Sequence, residues 1–334
     1  MKKIAVLGAG SWGTALALVL LRSRAEHRVC LWARRAQMAD ALAAKRVNTD
    51  YLDGFTLPAQ LEITSDLAEA VEDAEFVLGV MPSEHARAIY THALPHLRPE
   101  AAIVSATKGL DFPALERMTE MIAAVVGTRF RARVAALSGP SFAREVARGD
   151  PTAVVVASQD EALAGEIQEE FAGPTLRLYT NTDVTGVELG GAVKNVIAIA
   201  AGVCAGFGLG HNSIAALITR GLAEMTRLGC ALGGRRETLA GLAGLGDLVL
   251  TCTGTLSRNR SVGVELGKGR GLAEIQSGMR MVAEGVRTTA ATMDLARRHK
   301  IEMPITEQMH AVLYENRPPK DAIRELMERR LKNE

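Results

Sequence analysis

Three glycines come first among the residues placed to do chemistry. Gly8-Ala9-Gly10-Ser11-Trp12-Gly13 reads G-x-G-x-x-G. At this spacing the first glycine permits a tight turn, the second lets backbone approach a diphosphate, and the third lets a helix pack close to a strand. The helix after it would offer free N–H groups and its positive end to the diphosphate. Further on, Arg34 and Arg35 stand where an acidic residue would bind the ribose 2′-hydroxyl of NAD. Two guanidinium groups suit a 2′-phosphate, so NADP(H) is the expected cofactor and NAD(H) the second choice; two solvated arginines opening a helix would look the same. Lys194 is the next candidate. Ala192, Val193, Val196, Ile197 and Ile199 leave it little polar face, and Gly190 and Gly191 share its helical face, which predicts open space beside its stem. Asp247 is the one charge in the glycine-rich run 239–255 and needs a partner, for which Lys194 is a candidate. Ser257-Arg258-Asn259 combines a helix cap, free N–H groups and a guanidinium, an anion site in composition, although a plain cap with surface arginines has the same spacing.

Elements that could position these groups are legible around them. Apolar runs at Ile4–Leu7, Arg28–Trp32, Phe76–Val80, Ala102–Ala106, Val134–Leu137, Thr152–Ala157 and Leu176–Tyr179 read as strands, most of them without polar alternation and so buried on both faces. Helical segments lie between them, among them Thr14–Leu21 and Leu115–Val126. Strand and helix in alternation predict a doubly wound parallel sheet, with ligands beyond the carboxyl ends of its strands, where Gly10, Ser83, Lys108 and Gly139 fall. From Asp183 onward the strand signals fade. A helix Val184–Ala205 after an Asp183 cap and another at Ile214–Leu232 open a helical half. The expected fold class is α/β: an N-terminal Rossmann-type doubly wound sheet over residues 1–182 and an all-α C-terminal domain over 183–334.

Composition narrows what such a chain could do. In 334 residues, 39 Lys and Arg balance 38 Asp and Glu, a formal net charge of +1, which argues against coating nucleic acid or inserting in an anionic membrane. Aromatics, at 4%, are too few for base-stacking platforms. Cys30, Cys204, Cys230 and Cys252 are scattered without a CxxC pair, as expected for reduced thiols in a cytoplasmic protein. No metal is expected: zinc spacing is absent, and Pro95 separates His92 from His96. The uncharged run 4–21 imitates a signal peptide, yet its glycines interrupt it at the places a dinucleotide turn requires.

Seven motifs then stand in one order: Gly8 to Ala15, Ser105-Ala106-Thr107-Lys108-Gly109, Leu137-Ser138-Gly139-Pro140-Ser141-Phe142-Ala143, Glu188-Leu189 with Lys194-Asn195, Gly244-Leu245-Gly246-Asp247-Leu248, Ser257-Arg258-Asn259, and Val282-Ala283-Glu284-Gly285. Across almost the whole chain this resembles the bacterial-type NAD(P)-dependent glycerol-3-phosphate dehydrogenases. The resemblance implies reversible conversion of dihydroxyacetone phosphate, a small phosphorylated triose, to sn-glycerol 3-phosphate for glycerophospholipid synthesis. It places Ser11, Trp12, Arg34, Arg35, Lys108, Ala143, Arg258, Val282 and Glu284 on the cofactor. It places Lys108, Gly139, Ser141, Lys194, Asp247, Ser257, Arg258 and Asn259 on the substrate, with Lys194 as the proton-transferring residue.

Two other readings share parts of this pattern. A related two-domain hydroxyacid or 6-phosphogluconate-type dehydrogenase would have the same halves with a carboxylate substrate. A non-catalytic NADP(H)-sensing protein would keep the first half without needing Lys194 and Asp247. An apolar face on the C-terminal helices would serve a homodimer or an intradomain core equally well.

Overall fold

The computed structural model describes residues 1–279 and 283–330. Within it the chain divides into two compact units, Met1–Glu188 and Leu189–Glu334.

The first unit is built on β1 (Lys2–Leu7), α1 (Ser11–Leu20), β2 (His27–Trp32), α2 (Ala36–Lys45), a hairpin of β3 (Val47–Asn48) and β4 (Leu52–Thr56), β5 (Glu62–Thr64), α3 (Leu67–Val71), β6 (Phe76–Gly79), α4 (Ser83–Ala93) and β7 (Ala102–Ser105). A second hairpin, β8 (Leu110–Asp111) with β9 (Glu116–Arg117), leads to α5 (Met118–Val126), β10 (Arg133–Ser138), α6 (Ala143–Arg148), β11 (Thr152–Ala157), α7 (Glu161–Phe171) and β12 (Leu176–Asn181). Eight strands form one sheet in the order β12-β11-β10-β7-β6-β1-β2-β5. Helices cover both faces. Ile4 and Val6 of β1 point into one apolar cluster with α1, α2 and α7, whereas Ala5 and Leu7 point into another with α3, α4 and α5. This two-sided burial is why the strands lack polar alternation.

Two features depart from the sequence expectation. From β5 to β10 the sheet is parallel, but β11 runs antiparallel to β10 (Leu137 opposite Val156) and β12 parallel to β11. Connection length explains the reversal. A parallel partner needs a crossover the length of the strand, and six-residue α6 spans only about 9 Å, against roughly 18–20 Å for β10. The eleven-residue α7 is long enough to bring β12 back parallel to β11. The second departure is the predicted helix start at Leu115. That residue has φ +62°, in the left-handed region, and the helix begins at Met118 after the β8–β9 hairpin.

The second unit is helical. It holds most of α8 (Val184–Gly206), then α9 (His211–Ala231), α10 (Arg236–Ala240), a π-turn at Leu242–Gly246, α11 (Asp247–Thr253), α12 (Arg258–Gly267), α13 (Leu272–Ser277), α14 (Glu284–His299), α15 (Pro304–Tyr314) and α16 (Pro319–Glu328). As the sequence suggests, Asp183 caps α8, its Oδ1 accepting from the Gly186 N–H at 2.8 Å. By length and composition α8 could cross a bilayer, yet 83% of its most apolar stretch is buried inside the protein, as a core helix would be.

Glu224 of α9 closes the start of α15. Its Oε1 accepts from the Ile305 N–H at 2.6 Å, and its Oε2 from the Thr306 N–H and hydroxyl at 3.2 Å each. Burial pushes this carboxyl up to about 7, against the pull of those donors. A carboxyl raised on folding contributes stability at low pH, and this is lost as pH rises through the folded value. Melting of the wild type should therefore decline between about pH 5 and 8, and thermal scans of Glu224→Gln should show that slope reduced.

Candidate active site

The glycine turn has the geometry its spacing predicts. Gly8 adopts φ +128°, and a Cβ there would press on the Val80 carbonyl at 3.1 Å. A Cβ on Gly13 would fall 1.8 Å from the Gly8 carbonyl oxygen, so α1 and the end of β1 touch backbone to backbone. Gly10, the N-cap of α1, is different: nothing lies within 4 Å of where its Cβ would be. A diphosphate needs that open approach. The indole N–H of Trp12 is buried without a hydrogen-bond partner among the described residues, a donor left for a ligand. These observations fit a bound dinucleotide. Arg34 and Arg35 follow β2 with their side chains exposed, and Arg35 also reaches the Tyr51 hydroxyl at 3.4 Å.

Asn48 supports the turn and carries no signal in the sequence. From the β3–β4 hairpin its Nδ2 donates to the Ala9 carbonyl at 3.0 Å and the Thr14 hydroxyl at 2.8 Å, fully buried. Lys108, Gly139 and Ser141 are brought together at the carboxyl ends of β7 and β10. The Gly139 carbonyl accepts from Lys108 Nζ at 3.0 Å and from the Ser141 hydroxyl at 3.0 Å. Gly139 itself, at φ +141°, passes so close to β11 that a Cβ would sit 3.0 Å from Val154 Cα. Ala143 is the first residue of α6, which packs against α1.

In the second unit the expected partnership between Lys194 and Asp247 is present and buried. Lys194 Nζ donates to Asp247 Oδ1 at 2.6 Å, with the two residues 4% and 1% exposed. It also donates to the Thr251 hydroxyl at 2.6 Å, and Thr251 in turn donates to the Asp247 carbonyl at 2.6 Å. Thr251 was not singled out from sequence. Its spacing of i, i+4 from Asp247 on α11 is the signal that could have found it. A lysine so held is an ammonium, since the carboxylate and hydroxyl replace the water that burial removes.

The expected role of the glycines beside Lys194 needs correction at Gly190. No open space lies there: a Cβ would meet the Ala243 carbonyl oxygen at 2.6 Å. The missing side chain admits the backbone of the π-turn that carries Asp247, so this glycine brings the lysine's partner close instead of leaving room for its stem. Gly244 completes the approach, its own Cβ position falling 1.9 Å from the Leu239 carbonyl oxygen.

Ser257 caps α12 as expected, its hydroxyl accepting from the Arg260 N–H at 3.2 Å. Arg258 is the first residue of that helix. Burial of part of its side chain lowers the guanidinium's pKa, with the Glu284 carboxylate acting against this. The residue as a whole keeps an exposed surface, and the guanidinium remains charged. Asn259 is buried, and its carboxamide links Asn195 to the Gly285 N–H beside Glu284. Val282 lies outside the described residues. Among the described residues, no cluster of three or more His, Cys, Asp or Glu could hold a metal ion.

Both halves of the chain match known proteins. Models described as the N-terminus and the C-terminus of NAD-dependent glycerol-3-phosphate dehydrogenase match residues 3–164 and 183–324. A glycerol-3-phosphate dehydrogenase [NAD(P)+] of Koribacter versatilis is 60% identical over 98% of this chain and 98% of its own length. That of Acidobacterium capsulatum is 56% identical, again over 98% of each chain. Among solved structures, a glycerol-3-phosphate dehydrogenase from Coxiella burnetii superposes with a TM-score of 0.93 at 44% identity, covering 98% of this chain and 99% of that one.

Proposed function

This chain belongs to the NAD-dependent glycerol-3-phosphate dehydrogenases, and from that premise we propose how its residues divide the reaction. It is an NAD(P)-dependent oxidoreductase that interconverts dihydroxyacetone phosphate and sn-glycerol 3-phosphate, the family's supply for phospholipid synthesis. With this membership the hydroxyacid-type and sensor readings give way.

The buried Lys194–Asp247–Thr251 cluster carries the mechanistic proposal. When bound, the nicotinamide supplies or accepts the hydride at the substrate's central carbon. In the reductive direction Lys194 Nζ polarises the carbonyl and gives a proton to its oxygen; in the oxidative direction the neutral amine takes that proton back. Asp247 and Thr251 hold the ammonium through two hydrogen bonds of 2.6 Å each, fixing its direction. Ser257, Arg258 and Asn259 hold the substrate phosphate through the first N–H groups of α12 and the guanidinium. Lys108, Gly139 and Ser141 supply further substrate contacts. Gly8, Gly10, Ser11, Trp12, Gly13 and Ala143 hold the dinucleotide's diphosphate side, and Arg258 and Glu284 also reach the cofactor. Cys30, Cys204, Cys230 and Cys252 are free thiols, which supports placing the enzyme in the reducing cytoplasm.

Arg34 and Arg35 favour NADP(H) by pairing with its 2′-phosphate. The test is initial-rate oxidation of NADPH and NADH with dihydroxyacetone phosphate, with 2-keto acids as control substrates. Turnover restricted to the keto acids would refute the substrate assignment. In the double variant Arg34→Ala, Arg35→Ala, the NADPH KM should rise about ten- to hundredfold, as loss of charged hydrogen bonds predicts. The NADH KM should stay near wild type. Equal losses for both cofactors would refute the 2′-phosphate role.

A further inference from the structure

Two helices of the second unit each carry a pair of glycines four residues apart: Gly202 and Gly206 on α8, Gly263 and Gly267 on α12. The pairs face one another reciprocally. A Cβ on Gly202 would lie 2.0 Å from the Arg260 carbonyl oxygen, and one on Gly206 would lie 2.3 Å from that of Val264. From the other side, Cβ atoms on Gly263 and Gly267 would lie 2.0 Å and 2.5 Å from the Ile199 and Val203 carbonyl oxygens. Contacts advance together along both chains, so the helices run parallel with their backbones touching. Small residues permit this approach, and the contact gains dispersion and weak Cα–H···O bonds.

Such an interface is close but poorly directional, and a slip of one turn would move the helices by about 5.4 Å. A directional bond stands at its amino-terminal end. Asn259 Nδ2 donates to Asn195 Oδ1 at 2.9 Å, both residues buried. Asn195 immediately follows Lys194, and Asn259 immediately follows Arg258. The same carboxamide accepts from the Gly285 N–H at 2.9 Å through its Oδ1. Gly285 is seated so tightly that a Cβ would fall 2.8 Å from the Asn195 carbonyl oxygen.

We infer that Asn195 and Asn259 are a positioning pair for the dehydrogenase reaction: their hydrogen bond sets the register of α8 against α12, and so the distance from the Lys194 ammonium to the anion-binding end of α12. The inference rests on the roles proposed for Lys194 and Ser257–Asn259. It divides Asn259 in two: its main-chain N–H faces the substrate phosphate, while its side chain works through Asn195 and Gly285. Proton transfer is sensitive to displacements of an ångström or less, so an unpinned register costs turnover more than binding.

A double-mutant cycle separates this role from direct side-chain contact with substrate. Asn195→Ala, Asn259→Ala and the double variant are compared in NADPH-dependent reduction of dihydroxyacetone phosphate. Quenching of tryptophan fluorescence by NADPH serves as a control, because Trp12 and Trp32 both lie in the first unit. Each single variant should lower kcat about ten- to hundredfold, leaving NADPH affinity within about twofold of wild type. The double variant should fall no more than about threefold below the worse single one. Asn195→Asp keeps an acceptor opposite Asn259 Nδ2 and should recover most of the kcat lost in Asn195→Ala. Losses that multiply in the double variant would overturn the inference, as would a rise in substrate KM at unchanged kcat in Asn259→Ala. Should Asn259→Ala fail to fold, Asn195→Ala and Asn195→Asp decide alone: equal kcat losses overturn the pair, and recovery by the aspartate supports it. Wild-type protein that binds NADPH yet turns over no dihydroxyacetone phosphate would instead sink the dehydrogenase reading and, with it, this role.

Discussion

Lys194→Ala is expected to lower kcat for dihydroxyacetone phosphate reduction by about 10²- to 10⁴-fold, the usual worth of a positioned general acid. NADPH affinity should stay within about twofold of wild type, since the glycine turn and both arginines lie in the first unit. Stability will change too, because Asp247 is 1% exposed and would be left as a buried carboxylate without its ammonium. Removing one partner of a buried pair typically costs about 3–5 kcal/mol. The two effects can be separated. Lys194→Met with Asp247→Leu removes both charges and fills much of their volume, so its melting temperature should return toward wild type while kcat stays lost. Recovery of activity together with stability would show that the pair is structural and that another group moves the proton. Parallel loss of NADPH affinity in Lys194→Ala would point the same way.

The Lys194–Asp247 pairing was legible before the fold because each residue was anomalous alone: a cation without a polar face and an anion in an apolar run. Burial of charge demands a partner, and that demand crosses 53 residues of sequence as easily as four. The β1–turn–α1 unit was legible for a different reason, since its glycines are read by local sterics and its flanking runs by length. Features that depend on another segment's backbone were not. Gly190, Gly202 and Gly263 are each defined by the carbonyl that occupies their missing side chain, and no local pattern names that carbonyl. At Gly190 the local pattern predicts space where the fold places the Ala243 carbonyl.

Strand β5 escaped for want of signal. Three residues with Ile63 as the only apolar one cannot establish an alternation. The reversal at β11 was a matter of topology: the strand itself reads from sequence, but its direction follows from how little helix the 139–151 connection contains. Asn48 escaped, and Asn259 was legible only as part of the anion site and not through its side-chain bonds, because a buried asparagine has the same letter as an exposed one. Both finish backbone hydrogen bonding at the two candidate ligand sites, which only the fold makes visible.

Oxidation of sn-glycerol 3-phosphate should rise steeply with pH, and reduction should not. In the reductive direction Lys194 acts as an ammonium, the form its carboxylate and hydroxyl partners already hold. In the oxidative direction it must first lose a proton. An unperturbed lysine titrates near ~10.4, so at neutral pH the amine is a minor species, and its fraction grows about tenfold per pH unit. Initial oxidative rates at saturating ligands should therefore climb by up to about tenfold per unit from neutral to alkaline pH. Cys252, beside Lys194, is pushed up to about 12 by burial, so its thiol stays neutral until far above neutrality. The slope thus belongs to the lysine. Lys194→Arg supplies the control, because a guanidinium cannot be deprotonated here. This variant should lose the alkaline rise entirely while retaining a fraction of reductive turnover. A flat oxidative profile in the wild type, or an unchanged rise in Lys194→Arg, would remove Lys194 as the base.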